Sequence, residues 1–107
     1  MYGRMVDDLL ISAMSVRELE PEQVKAARAM LGWSQEELAS RIAVKRQALI
    51  NFEKGLHIFK SETIERCRCV MEEAGITFIA TESGAVGVLL SEDVLFENRL
   101  VRRSVRR

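Results

Sequence analysis

The chain is short of most of the residues that metal, disulfide or nucleophile chemistry needs. Its 107 residues hold two Cys, one His, one Trp, one Tyr and one Pro. Two Cys and one His do not complete a four-ligand zinc site. Cys67 and Cys69 fall two residues apart in "ERCRCVMEEAG", a segment that reads as helical, where such neighbours point about 200° apart and do not bridge. Cys67, in line with Ile64 and Met71, is expected in the core, and Cys69 near the surface. No metal cluster, Gly-rich phosphate loop or nucleophile with a base stands out, so neither an enzyme nor a cofactor is expected. No apolar run approaches the roughly 20 residues of a membrane span. Asp7 and Asp8 interrupt "MYGRMVDDLLISAMS" where a secretory signal would stay apolar, so no targeting segment is read and a cytoplasmic, nucleoid-associated protein is expected. With 48% hydrophobic and 30% charged residues, the composition is that of one ordinary globular domain with short arms.

The chain also lacks net charge, and here the distribution matters more than the total. Residues 22–60 carry seven basic and four acidic side chains, residues 61–98 two and eight, and residues 99–107 five and none. Positive charge is thus concentrated in one central stretch and in the tail, a pattern suited to steering a polyanion.

What is present is a close succession of helix signals. Pro21 suits a first helical position, and Val24, Ala27 and Leu31 recur at helical spacing before Gly32. "SQEE" makes a capping box, with Ser34 as N-cap and Glu37 three residues on, and Leu38, Ala39 and Ile42 form the inner side of that helix. A third helix runs roughly from Lys45 to Lys54, with Leu49 and Phe52 inward and Gly55 as its stop. A fourth begins after Ser61, with Ile64, Cys67, Met71 and Ala74 on one face and Gly75 at its end. The period then changes: "ITFIA" (76–80) and "VGVLL" (86–90), joined by "TESGA", read as a β-hairpin. A lone hairpin is marginal and must pack on the helices or on another chain. Residues 91–107 read as a capped amphipathic helix or a loose tail, and residues 1–20 as an extension with a weak helix around Val6 to Met14.

Two helices joined by two or three residues, with small Ala39 where their axes approach, make a helix-turn-helix. On the third helix Gln47, Asn51 and Lys54 cluster away from Leu49 and Phe52. Ile50 lies beside that polar cluster, where it would touch a thymine methyl, pack on a neighbouring domain or fill the local core. Glu53 falls at the core edge.

"LGWSQEELASRIAVKRQALINFEKG" resembles the lambda-repressor-like, or XRE-family, helix-turn-helix regulators, over about residues 22–74. The continuation "EEAGITFI" with "VGVLL" is similar to members that carry a strand pair after the fourth helix. The resemblance implies a mainly α fold: a four-to-five-helix domain over 21–75, a hairpin at 76–90 and a C-terminal helix or tail over 91–107. It also implies that Arg46, Gln47 and Asn51 meet base edges in the major groove of double-stranded DNA. Gln35, at a helix N-terminus, would hold a phosphate, as would Lys45, Lys54 and Lys60. Arg28 and Glu53 match a pair that ties the first helix to the recognition helix. Trp33 is expected as a core or hinge residue, and His57 as a loop residue or a phosphate contact.

Three positions depart from the family pattern. Ala43 replaces the usual turn Gly, which implies a backbone less left-handed or strained. Lys45 replaces a Ser or Thr cap, so it points at a phosphate instead of capping. "LHIFK" (56–60) replaces a polar loop. The function implied is a homodimeric repressor reading an inverted repeat, with half-sites about 34 Å apart and the hairpin as dimer element because its edges need a partner. The alternative is a protein-interaction module (an antitoxin, antiactivator or adaptor) gripping a protein partner through 56–59 or 94–101. The Arg-rich tail is either a solubilising end or an arm for phosphates or the minor groove.

Overall fold

A computed structural model describes residues 19–105, with side chains described as far as Val101. The weak helix expected around Val6 to Met14 lies outside the described residues, as do the side chains of the arginines from Arg102 onward. Five helices and one hairpin follow in order: α1 (Pro21–Leu31), α2 (Gln35–Arg41), α3 (Arg46–Glu53), α4 (Ser61–Glu73), β1 (Ile76–Ala80), β2 (Val86–Leu90) and α5 (Glu92–Val105). The fold is mainly α, with the hairpin after the fourth helix.

The local signals explain most of the boundaries. Pro21 opens α1, and Gly32 closes it in the left-handed region at φ +71°. Ser34 Oγ accepts from the Glu37 N–H (3.0 Å), while Glu37 Oε1 accepts from the Ser34 N–H (3.0 Å). The Ser34 backbone N–H, and after it the Ser34 hydroxyl, hold the Glu37 carboxyl below its usual range. The start of α4 differs slightly from expectation. Ser61 is its first helical residue, and Lys60 occupies the cap position without a side-chain bond.

One apolar cluster joins the elements. Val24 and Ala27 of α1, Leu38 and Ile42 at α2, Leu49 and Phe52 of α3, and Ile64, Cys67 and Met71 of α4 are buried together. Burial pushes the Cys67 thiol up to about 12, with the Glu53 charge adding to the effect. Cys69 is half-buried.

β1 and β2 are antiparallel, with Ile76 opposite Leu90 and Phe78 opposite Val88. Ile76 and Phe78 enter the core, so the hairpin packs one face on the helices, β2 against α1 and β1 against α4. Gln23, wholly inside the fold, fastens this arrangement. Its Nε2 donates to the carbonyl oxygens of Ile79 (3.2 Å) and Gly87 (2.9 Å), one on each strand. Its Oε1 accepts from the Glu20 N–H at the start of α1 (3.0 Å). A buried amide with so many partners offsets its desolvation cost.

Candidate nucleic-acid interface

The geometry of the interface starts at the turn between α2 and α3. Ala43 takes φ +56°, so the left-handed turn is kept although the residue carries a Cβ. That conformation costs an L-residue about 1 kcal/mol or more. The Val44 N–H donates back to Ala39 O (3.0 Å), and Arg66 of α4 donates from Nε to Ile42 O (3.0 Å). The end of α2 is therefore held from two sides. Lys45 caps α3 by position only, with no side-chain bond, and the first turn of α3 holds no acid.

The inner edge of α3 is locked by charge. Glu53, 4% exposed, receives a two-pronged bond from Arg28: Nε to Oε2 at 2.9 Å and Nη2 to Oε1 at 3.1 Å. Arg28 Nη1 donates in addition to Trp33 O (3.1 Å). Gln35 Nε2 donates to Glu53 Oε1 (3.0 Å). One carboxylate thus ties α1, the first residue of α2 and the last residue of α3. Such a buried charge is tolerated because each oxygen is satisfied. For Gln35, expected on a phosphate, this means that one amide hydrogen is already engaged inside the protein. The second hydrogen and the backbone N–H at the start of α2 remain for an anion.

On the outer side, Arg46 and Gln47 are exposed and Asn51 is half-buried. Gln47 Nε2 donates to Asn51 Oδ1 (3.1 Å), one helical turn on, so the two amides are held side by side. Lys45, at the start of α3, Lys54, just past its end, and Lys60, in the loop beyond, are exposed as well. Among the described residues, none of these three lysines nor Arg46 takes part in an ion pair. The arginines that face the body are all engaged. Arg28 is on Glu53, Arg66 is on Ile42 O, and Arg68 is on Glu65 and Glu72. Arg41 covers the half-buried Trp33 ring at 4.2 Å. Ile50 is half-buried beside the amide pair.

The loop after α3 splits its apolar residues. Phe59 turns inward and stacks on Phe52, with ring centroids 4.4 Å apart and planes 9° from parallel. Leu56 and Ile58 remain 74% and 89% exposed. His57 is exposed, edge-on to Phe59 at 5.6 Å. Gln23, Arg66 and Phe59 are the residues that sequence reasoning did not single out. For Phe59 the apolar loop was a signal; for Gln23 and Arg66 the partners lie too far along the chain.

Among the described residues there is no group of His, Cys, Asp and Glu that could hold a metal, and no helix long and apolar enough to cross a membrane. A comparison with curated proteins finds no match. A family model described as helix-turn-helix matches residues 24–72, from the first buried valine of α1 to the last turn of α4. That segment, just under half of the chain, is a lambda-repressor-like, XRE-family helix-turn-helix domain, the domain type of DNA-binding regulators.

Proposed function

We propose that this DNA-binding regulator is a homodimeric repressor that reads an inverted repeat with α3 in the major groove. The observation that carries the proposal is the division of α3. Its inner edge is locked to α1 and α2 through Glu53. Its outer edge presents a bonded Gln47–Asn51 pair, accompanied by Lys45, Arg46, Lys54 and Lys60 without ion-pair partners among the described residues. Amide side chains suit the N6–H and N7 edge of adenine, and Arg46 suits guanine. The lysines and the N-terminus of α2 at Gln35 suit phosphates. Repression is by occupancy of DNA, in the cytoplasm and on the nucleoid. The hairpin side of the molecule faces the dimer axis, since Val86 and Leu89 stay outside the core.

The test is selection of an operator from random duplexes by the full chain, followed by titration. Replacing Gln47 and Asn51 together with Ala is expected to cost about 2–4 kcal/mol on the selected site and little on scrambled DNA. Equal binding by the double variant would remove both residues from base reading. Replacing Lys54 with Ala is expected to weaken all sequences alike and to flatten the dependence on salt by about 0.9 log units per log unit.

A second reading, a protein-interaction module, is favoured by one observation. Leu56 and Ile58 are the most exposed large apolar residues described, and they flank α3. The two roles can coexist in a module that binds a partner protein and also represses its own operon.

A further inference from the structure

α5 is apolar on two faces, and among the described residues only one of them is turned to the body. A Cβ at Gly75 would stand 2.7 Å from Val94 Cγ2, and Asn98 Nδ2 donates to Met30 O (3.3 Å). The side of α5 that carries Val94 and Asn98 is therefore turned to the body. Phe96 and Leu100 are four residues apart, hence on one face, and both lie two residues from Asn98, hence on the opposite side of the helix. They are 61% and 47% exposed. On the other, body-facing side of α5, where Leu95, Asn98 and Val101 lie, an open groove of about 790 Å³ separates the helix from the end of α1 and β2. An apolar outer stripe on a surface helix marks a contact with something else.

Charge along α5 indicates what that is. Its first half carries Glu92, Asp93 and Glu97, and its second half Arg99, Arg102 and Arg103. This polarity suits the helix dipole, but the dipole does not account for Phe96 and Leu100. Laid antiparallel against a copy of itself, the acidic half lies along the basic half. Laid parallel, acid meets acid. An isologous contact of this kind places one surface against its own copy across a two-fold axis.

We propose that α5 forms the seam of the dimer, antiparallel to α5 of a second copy, with the two-fold axis level with residue 98, so that Phe96 meets the partner's Leu100. This rests on the dimeric reading given above and moves its centre from the strand edges to α5. The start of the helix is fixed for this purpose. The Ser91 N–H donates to Gly75 O (2.8 Å), and the approach of Val94 to Gly75 leaves no room for another side chain, so α5 presents its outer stripe from a set position.

The experiment is sedimentation equilibrium of the full chain beside the variant Phe96→Glu with Leu100→Glu. The wild-type chain is expected to be dimeric at micromolar concentration, and the variant to dissociate about 100-fold more readily or beyond, with its far-UV circular dichroism kept because both side chains are exposed. A wild-type dimer that the variant preserves would overturn the α5 seam and leave the dimeric reading standing. A wild-type monomer would overturn both. Orientation is read without relying on that variant. Mixed Phe96→Cys and Leu100→Cys chains, in a Cys69→Ser background, are expected to cross-link with each other under mild oxidation. Cross-links mainly between like chains would overturn the antiparallel arrangement.

Discussion

The two ends of this chain leave different kinds of side chain unpartnered. In the helix-turn-helix half, the buried Glu53 carboxylate is engaged on both oxygens. Glu53 has Arg28 and Gln35, while Lys45, Arg46, Lys54 and Lys60 on α3 and its flanks, and Lys25 on α1, are exposed without ion pairs among the described residues. In the hairpin and α5 half, apolar side chains stand outside among the exposed charges, on β2 and along α5: Leu89, Phe96, Leu100 and Val101; in the first half the loop after α3 exposes Leu56 and Ile58. Water solvates lysines at little cost, but it does not reward an exposed Phe. The first half therefore offers cations on and beside α3 with one apolar loop, whereas the second offers apolar side chains along a strand and a helix.

Three substitutions separate the halves, and the largest effect is expected in the first. Arg28→Ala leaves the Glu53 carboxylate buried with Gln35 as its remaining side-chain donor. It should cost about 3 kcal/mol, read as a lower denaturant midpoint, and it should weaken DNA binding through loss of the α1–α3 tie. A loss below about 0.5 kcal/mol would mean that the pair behaves as a surface bridge and that the first half is less rigid than described.

Next comes Gly75→Ala, which acts on the second half. Gly75 has φ +110°, and an added Cβ would lie 2.7 Å from Val94 Cγ2 and 2.9 Å from Ser91 Oγ. A cost of about 2 kcal/mol is expected, together with loosened self-association, while affinity for a single half-site stays near wild type. Equal loss at both ends would erase the distinction drawn between them.

The smallest effect is expected from Ala43→Gly. The residue already stands at φ +56°, so removing its Cβ relieves strain while adding flexibility to the unfolded chain. A net gain of up to about 1 kcal/mol is expected, seen as a higher melting temperature with the same selected operator. Destabilisation would show that this turn is relaxed with Ala.

The contrast between the halves also explains what sequence alone could reveal. Caps, stops and helical periods are local, so Pro21, Ser34, Gly32 and the inward rows of Leu38, Ile42, Leu49 and Phe52 were legible, as was the change of period at Ile76. The left-handed turn was legible only as a choice between two outcomes at Ala43, because the alternatives differ by about 1 kcal/mol and the helices on either side decide. Partners far apart in the chain were not legible. Gln23 reads as a helix-start residue, yet its Nε2 reaches Gly87 O. Arg66 reads as a surface charge of the fourth helix, yet its Nε reaches Ile42 O. Such bonds depend on how helices cross, which no periodicity encodes. At the interface, resemblance named Gln35 for an anion, whereas the structure also gives it to Glu53, a division set by the fold and not by the residue type.

The bond between Gln47 and Asn51 has a consequence for how such a protein changes target over time. On the base reading proposed for them, two side chains that orient each other would make up one reading element, with effects on base preference that are epistatic and not additive. A substitution at Gln47 alone alters one contact and also releases Asn51 from its set rotamer. A route from one operator to another by single steps therefore passes through a chain that reads neither well. That intermediate is more accessible after duplication of the gene, while a second copy still holds the original site.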